Sequence, residues 1–442
     1  MNINLIISKI SNFVWGPVLL ILLIGTGIWM SYQLRFIQIR LLPAALKLVF
    51  SGRKSKGEGN ITPFQALATE LAGTIGTGNI AGVATAIASG GPGAIFWMWV
   101  SAFFGMATKF SESLLALNYR EKTIYGIYSG GPMYYISKGL GLKWLGVLFA
   151  IFGIIASFGI GCMVQSHSLS IALKDAFHVN VWISGIILMF LVGFVIIGGI
   201  RRIALVTERI VPFMALIYFV SALIIILVNF EKILDIIQLI VVSAFNPTAA
   251  IGGFAGASVK EAIRFGVARG VFSNEAGLGS TPIAHAAAIT DNPVKQGLVS
   301  MTGVFFDTII ICSMTAFCIL LTDSWHSGLS TTELTNLSFE SVFGPIGPSI
   351  VSVSLILFAY STILGWSFYG SQCVRFLAGE PIVRIYRYIF CLAVLFGALR
   401  KTELVWALSD IFNGLMAFPN LIGILGLSFV VRKIYRENID RI

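Results

Sequence analysis

Charged side chains are scarce: 11% of the 442 residues are Asp, Glu, Lys or Arg, against roughly 25% in soluble globular domains. That deficit excludes a water-soluble enzyme, a nucleic-acid-binding module and a disordered tail. Histidine is scarcer still. His167, His178, His285 and His326 are the only four, and their spacing suits neither a metal nor an activated nucleophile, so an intramembrane hydrolase has no catalytic set here. The five cysteines (Cys162, Cys312, Cys318, Cys373, Cys391) lie in or beside apolar stretches without metal-ligand spacing and read as unpaired packing residues. Acidic residues are outnumbered 20 to 30 by Lys and Arg, for a net charge of +10. In a chain this apolar, that excess belongs to loops on one side of a membrane rather than to a nucleic-acid surface. What is plentiful is apolar surface, at 57% hydrophobic, together with 46 glycines, as expected where membrane helices pack closely.

Apolar stretches of about 17 residues or more mark membrane crossings. They predict an all-α polytopic membrane protein with eleven spans, at 12–32, 63–88, 93–117, 144–172, 180–199, 210–228, 258–290, 297–322, 346–369, 382–399 and 404–431. The first apolar stretch, Val14 to Met30, follows a single Lys9 and has no small-residue cleavage site before Tyr32 and Arg35. It reads as a span and not as a secretory leader. Ile233 to Phe245 is too short to cross and is interrupted by Asp235, so it is expected to lie in the interface.

Lys and Arg alone set the orientation. The segments 33–62, 118–143, 200–209, 291–296, 370–387 and 432–442 carry 21 of them, and the alternate set carries 5. The six cations from Arg35 to Lys56 put that first loop in the cytoplasm. The N-terminus is then outside and the C-terminus inside.

Two spans are broken. The second reads Leu71-Ala-Gly-Thr-Ile-Gly-Thr-Gly-Asn-Ile-Ala-Gly82, and the seventh Gly270-Val-Phe-Ser-Asn-Glu-Ala-Gly-Leu-Gly-Ser-Thr-Pro282. Each glycine weakens a helix by about 1 kcal/mol relative to alanine. Freed backbone groups are tolerated at membrane depth only where they line a site. Close packing by small residues would explain either cluster alone. Gly76 and Gly277, however, are 201 residues and five spans apart, an odd number, so the two broken helices run in opposite directions. That is the pattern of an inverted repeat with a binding site at the midplane. The organisation becomes 1–62 (first span and basic loop), 63–228 and 258–431 (two five-helix repeats), 229–257 (external connection) and 432–442 (cytoplasmic tail). The glycine run is no nucleotide loop, since it lacks the Lys-Ser/Thr ending and lies inside a span.

Half-helix ends also select a ligand. Free N–H groups favour an anion and free carbonyls a cation, so a zwitterion suits both. An amino acid carboxylate fits the amides of Thr77, Gly78 and Asn79, and its ammonium fits the carbonyls near Phe272 and Ser273. A small hard cation such as Na⁺ would take the unwound carbonyls and hydroxyls.

The stretches Gly76–Ala86, Gly90–Trp99, Met106–Glu112, Gly130–Tyr135, Gly270–Ser280 and Asn413–Asn420 resemble the signatures of the alanine/glycine:cation symporter family over nearly the whole chain. The resemblance implies a leucine-transporter-like fold in the plasma (inner) membrane of a prokaryote, with import of small neutral amino acids driven by Na⁺ or, alternatively, H⁺. It implies that Thr77, Gly78, Asn79, Gln165, Phe272, Ser273, Gly277 and Trp366 bind substrate, and that Thr74, Thr77 and Thr362 bind Na⁺. Lipid is the surrounding partner. One departure stands out in span 4, Gly161-Cys-Met-Val-Gln-Ser-His167. Cys162 and His167 replace the family's usual amides, which leaves the preferred amino acid open.

Charges inside spans are functional candidates. Glu275 and Glu70 are expected either to orient unwound backbone or to take part in ion coupling. Asp307 and Asp410 are expected to fix helix packing or to join a proton relay. Lys109 and Glu112 are expected to snorkel or pair at the cytoplasmic end of span 3, and Arg264 and Arg269 to pair with Glu261 in an outer vestibule. A channel would need symmetric subunits or charged rings, and two different internal breaks do not supply them. The orientation has a direct test: a single cysteine at Ser327 should react with an impermeant thiol reagent in intact cells and one at Asn438 should not, whereas the reverse pattern would invert the topology.

Overall fold

With no water in the hydrocarbon to bond them, backbone groups must be satisfied within the segment, and helices are the result. The computed structural model describes residues 3–51, 56–249, 252, 254–400 and 403–441. Of the expected basic residues, Arg53, Lys54 and Lys401 lie outside the described residues. The helices that position the site are α1 (Pro17–Gln33), α2 (Pro63–Thr74), α3 (Val83–Gly90), α4 (Gly93–Asn118), α5 (Val164–Phe177) and α6 (Gly199–Val228). They continue with α7 (Val259–Asn274), α8 (Pro293–Val304), α9 (Thr331–Phe343), α10 (Gly347–Ala378) and α11 (Glu403–Gly426). Among the described residues, seven helices are long and apolar enough to cross a membrane, or eight if α2 and α3, bent by 55°, form one span. Val181–Ile196 is an apolar helix of 16 residues. The predicted spans at 93–117 and 258–290 are not among the eight. The first carries Lys109 and Glu112 and the second is broken, which lowers their apolar character.

Several expected loops contain structure. The stretch 33–62 holds the helix Leu42–Ser51, and 118–143 holds a two-stranded hairpin (Glu121–Lys122 with Tyr128–Ser129) followed by the helix Pro132–Gly139. The stretch 323–345 holds α9, whose N-terminal threonines carry weight below. Helix Ile233–Phe245 forms as predicted. The indole N–H of Trp97 donates to the Ala244 carbonyl at 3.0 Å and ties it to α4.

Helix α4 runs through the centre. Glycine lets α7 close on it: a Cβ at Gly266 would stand 2.2 Å from the Ala94 carbonyl oxygen, and one at Gly270 would stand 2.7 Å from the Ser101 hydroxyl. This is the small-residue contact that brings membrane helix backbones together without a hydrophobic driving force. At one end of the bundle the strand leading into α2 pairs with the chain that follows the second break, with Asn60 N–H on the Ala287 carbonyl at 2.8 Å and Ile289 N–H on the Ile61 carbonyl at 2.7 Å. Arg120 seals that seam, donating to the carbonyls of Ala286 (3.0 Å), Ala288 (2.8 Å) and Glu58 (2.8 Å). The two broken segments are thus joined outside the core as well as within it.

Candidate functional site

Helix α2 stops at Thr74 because the next residues, Ile75-Gly-Thr-Gly, leave helical geometry, and the chain resumes as a π-helical turn, Gly78–Gly82, before α3. Wide turns of this kind cluster at functional sites. Asn79 holds the break: its Oδ1 accepts the Gly76 N–H at 2.9 Å, and its own N–H donates to the Gly76 carbonyl at 3.2 Å. Thr362 of α10 reaches over it, with its hydroxyl 3.4 Å from the Ile75 carbonyl. A Cβ at Gly76 would meet that hydroxyl at 2.6 Å, so only glycine leaves room. Gln165 of α5 donates to the Thr77 hydroxyl at 3.2 Å and to the Ile160 carbonyl at 3.0 Å. Its Oε1 and the Thr74 hydroxyl are buried without a hydrogen-bond partner among the described residues.

Helix α7 ends at Asn274, and Glu275 takes a left-handed conformation at φ 57, unusual for a residue with a side chain. Gly277 (φ 89) and Gly279 (φ 83) carry the chain to the short helix Pro282–Ala286. Asn274 repeats the device of Asn79, its Oδ1 accepting the Ala276 N–H at 2.9 Å. The two breaks touch: a Cβ at Gly78 would lie 3.3 Å from Phe272 Cδ1 and 3.5 Å from Ser273 Cα.

Asp307 joins them. It sits in another π-helical stretch, Phe305–Cys312, and is fully buried. Its Oδ1 accepts from Asn79 Nδ2 at 2.7 Å, and its Oδ2 accepts from the hydroxyls of Ser273 and Thr308, each at 2.8 Å. The packing role expected of Asp307 is therefore a specific one, bonding both breaks at once.

A cavity of about 430 Å³ opens onto the first break, lined by Thr77, Gly78, Arg269, Phe272 and, from α9, Thr331 and Thr332. Arg269 lies over the Phe272 ring at 5.6 Å. Thr77, Gly78, Gln165, Phe272 and Ser273 are brought together, as are Thr74, Thr77 and Thr362. Asn79 stands among them, but its side chain is spent on Gly76 and Asp307. Gly277 is placed elsewhere, with its N–H on Glu112 Oε1 at 3.1 Å and its carbonyl on Asn420 Nδ2 at 2.9 Å. Trp366 is not exposed to the cavity. Its indole donates to Glu275 Oε1 at 3.0 Å, and its Cβ stands 2.3 Å from where a Gly161 Cβ would be. Cys162 faces the Phe390 carbonyl at 3.8 Å, away from the cavity.

Other charged residues meet expectation only in part. Glu261 caps its own helix through Ser258, Arg264 donates to Asn12, and among the described residues neither Arg264 nor Arg269 forms an ion pair with Glu261. Asp410 accepts from Ser11 at 3.1 Å, a bond between helices of the kind expected of it. Lys109 and Glu112 do not snorkel: both are fully buried. Lys109 Nζ lies 3.1 Å from Glu70 Oε1, with the Asn274 carbonyl at 2.7 Å and the Thr281 hydroxyl at 2.6 Å. His285 holds the other Glu70 oxygen, and Gln296 stands behind that ring at 2.6 Å. An apolar helix carrying a lysine and an acid one turn apart was the only signal in the sequence.

Residues 1–440 match the profile of the sodium:alanine symporter family. The chain belongs to that family. A Methanococcus maripaludis protein named sodium/alanine symporter AgcS is 50% identical over 96% of this chain and 95% of its own length. A Bacillus subtilis protein named "Probable sodium/glutamine symporter GlnT" is 42% identical over 96% of this chain and 88% of its own length. The fold is that of the leucine-transporter-like proteins: the structure matches MhsT, solved with L-phenylalanine, at a TM-score of 0.57 and 14% identity, over 85% of this chain and 98% of MhsT. The symporter is therefore an integral membrane transporter coupled to Na⁺, and not an enzyme.

Hydrogen bonds to a charged group contribute about 1.5–3 kcal/mol each, so losing the Asp307 carboxylate should uncouple the breaks. Asp307→Ala is expected to lower amino acid uptake at least tenfold with the protein still in the membrane in normal amount, and uptake within twofold of the parent would show that the bond between the breaks is dispensable.

Proposed function

We infer that the symporter carries one small neutral amino acid, alanine or glycine, inward with Na⁺ by alternating access between the two breaks. The observation that carries this reading is the set of oxygens at the first break, two of them without a hydrogen-bond partner among the described residues, beside a cavity. The Ile75 carbonyl, the Thr362 hydroxyl and Gln165 Oε1 stand around Gly76, the Thr74 hydroxyl is buried just ahead of them in the chain, and small hard cations take oxygen ligands. Thr77 and Gly78 face the cavity with Phe272 directly across, which suits a zwitterion whose carboxylate lies at the backbone amides. The steric limit rests on Phe272. Trp366 supports the pocket from behind by holding Glu275, and Ser273 and Asn79 support it through their bonds to Asp307. Crowding a larger side chain into such a wall costs about 1–3 kcal/mol, whereas glycine and alanine differ by one methyl, about 1 kcal/mol at most.

The reading includes eleven spans, with Gly93–Asn118, Val181–Ile196 and the broken 258–290 completing the count, and two five-helix repeats at 63–228 and 258–431. The N-terminus is outside and the C-terminus in the cytoplasm. The charge distribution supports that orientation, under which α9 and the cavity face outward and the Arg120 seam closes the inner side.

Uptake of labelled glycine, alanine, glutamine and leucine into proteoliposomes under separate Na⁺ and H⁺ gradients tests the reading. Glycine and alanine are expected to accumulate on a Na⁺ gradient, with leucine at least tenfold slower. Accumulation driven by H⁺ alone, or leucine carried as fast as alanine, would contradict it. Thr362→Ala removes one oxygen at the first break, so half-saturating Na⁺ should rise severalfold while uptake at saturating Na⁺ partly survives. An unchanged Na⁺ dependence would remove Thr362 from the ion site.

A further inference from the structure

The second break already contains a cation. Lys109 Nζ is fully buried, and its three hydrogen-bonding directions end on three oxygens: the Thr281 hydroxyl at 2.6 Å, the Asn274 carbonyl at 2.7 Å and the Glu70 carboxylate at 3.1 Å. An ammonium has three donors and no acceptor, while a carbonyl and a carboxylate only accept, so the set fits a charged lysine. Asn274 is the last residue of α7, and its carbonyl is one of the acceptors that a helix end leaves without an intrahelical partner. The carbonyl end of a half-helix carries partial negative charge and is where transporters of broken-helix design hold a coupling ion. Here a carbonyl, a hydroxyl and a carboxylate converge on one point, and the tip of a side chain from α4 fills it.

The neighbouring carboxylates have other partners. Asp307 is bonded to Asn79, Ser273 and Thr308, Glu275 to Trp366 and Ser280, and Glu112 Oε1 to the Gly277 amide and Asn420. Glu70 alone pairs with Lys109 among the described residues, and it belongs to α2, the helix that runs into the first break. The ammonium therefore bonds both broken segments, as a bound ion between them would.

We propose that Lys109 is a tethered cation that permanently fills the oxygen cage of the second break, so that this break takes no Na⁺ and each cycle carries one Na⁺ per amino acid, bound at the first break. The proposal rests on the Na⁺-coupled reading above. A mobile cation entering the same cage would meet the ammonium's charge at contact distance and find its ligands already bonded. The first break, with its unpartnered Thr74 and Gln165 oxygens, is left as the place for the transported ion.

The charge carried per alanine is measured directly in proteoliposomes, from the membrane potential that just balances a fixed alanine and Na⁺ gradient. One charge per alanine is expected. Two Na⁺ per alanine would overturn the tethered-cation proposal and leave Na⁺-coupled symport standing, whereas no Na⁺-driven accumulation would overturn that reading and this one with it. Lys109→Ala empties the cage and leaves its oxygens. Its alanine uptake is expected to fall at least tenfold at ordinary Na⁺. Recovery is expected with added methylammonium, or with raised Na⁺ and a Hill coefficient moving from near 1 to near 2. The double variant Glu70→Gln with Lys109→Ala should lose that rescue. A folded Lys109→Ala protein with neither rescue nor a steeper Na⁺ dependence would assign the lysine a merely structural role, and if that variant does not fold, the charge ratio of the parent protein still decides.

Discussion

Breaking a helix inside hydrocarbon frees backbone groups that water cannot reach, and an unsatisfied buried group costs about 1–3 kcal/mol in proteins. The rest of this structure follows from how those groups are met. Asn79 takes the Gly76 amide and Asn274 takes the Ala276 amide, both within their own segment. Glu112 takes the Gly277 amide from α4, Asn420 of α11 donates to the Gly277 carbonyl, and Lys109 donates to the Asn274 carbonyl. Each break is therefore stable only while particular side chains from other helices stay in place.

That dependence also ties the two breaks to each other. Asp307 bonds the two breaks at the first crossing point, and Lys109 with Glu70 bonds them at a second. A displacement at one break must therefore be answered at the other. A ligand shifts an equilibrium only by its differential affinity for the two states, and an ion that completes the first break while an amino acid spans both would bias the same equilibrium. The cover supplied by α9 and the seam held by Arg120 stand at opposite ends of this core, as two gates of an alternating-access cycle would.

The two breaks were legible in the sequence because glycine, threonine and asparagine in a crossing segment conflict with lipid wherever they are not a site. Thr77, Gly78 and Phe272 followed from the half-helix ends, Gln165 and Thr362 from family resemblance, and the five assemble in space. Gly277 and Trp366 were implied by the family resemblance, but a backbone that turns at Glu275 sends Gly277 toward α1 and α11 and leaves Trp366 behind the cavity. Lys109 was read by its distance from the end of an apolar helix, and that rule fails when partners lie far off in the chain: its bonds to Asn274 and Thr281 close loops of 165 and 172 residues. Helix α9 was missed because its Thr-Thr-Glu-Leu-Thr-Asn opening resembles a polar connection. Its buried Leu334 and Phe339 become meaningful only once the neighbouring spans are in place.

If the first break receives Na⁺ beside the amino acid and both act on breaks joined through Asp307, then each ligand must tighten the other by the same factor. Alanine affinity of the purified protein, measured by calorimetry in Na⁺ and again with Na⁺ replaced by K⁺ at equal ionic strength, tests this most directly. Alanine is expected to bind at least tenfold more tightly in Na⁺, and Na⁺ correspondingly more tightly in saturating alanine. Equal alanine affinity in the two salts would contradict a shared site at the joined breaks.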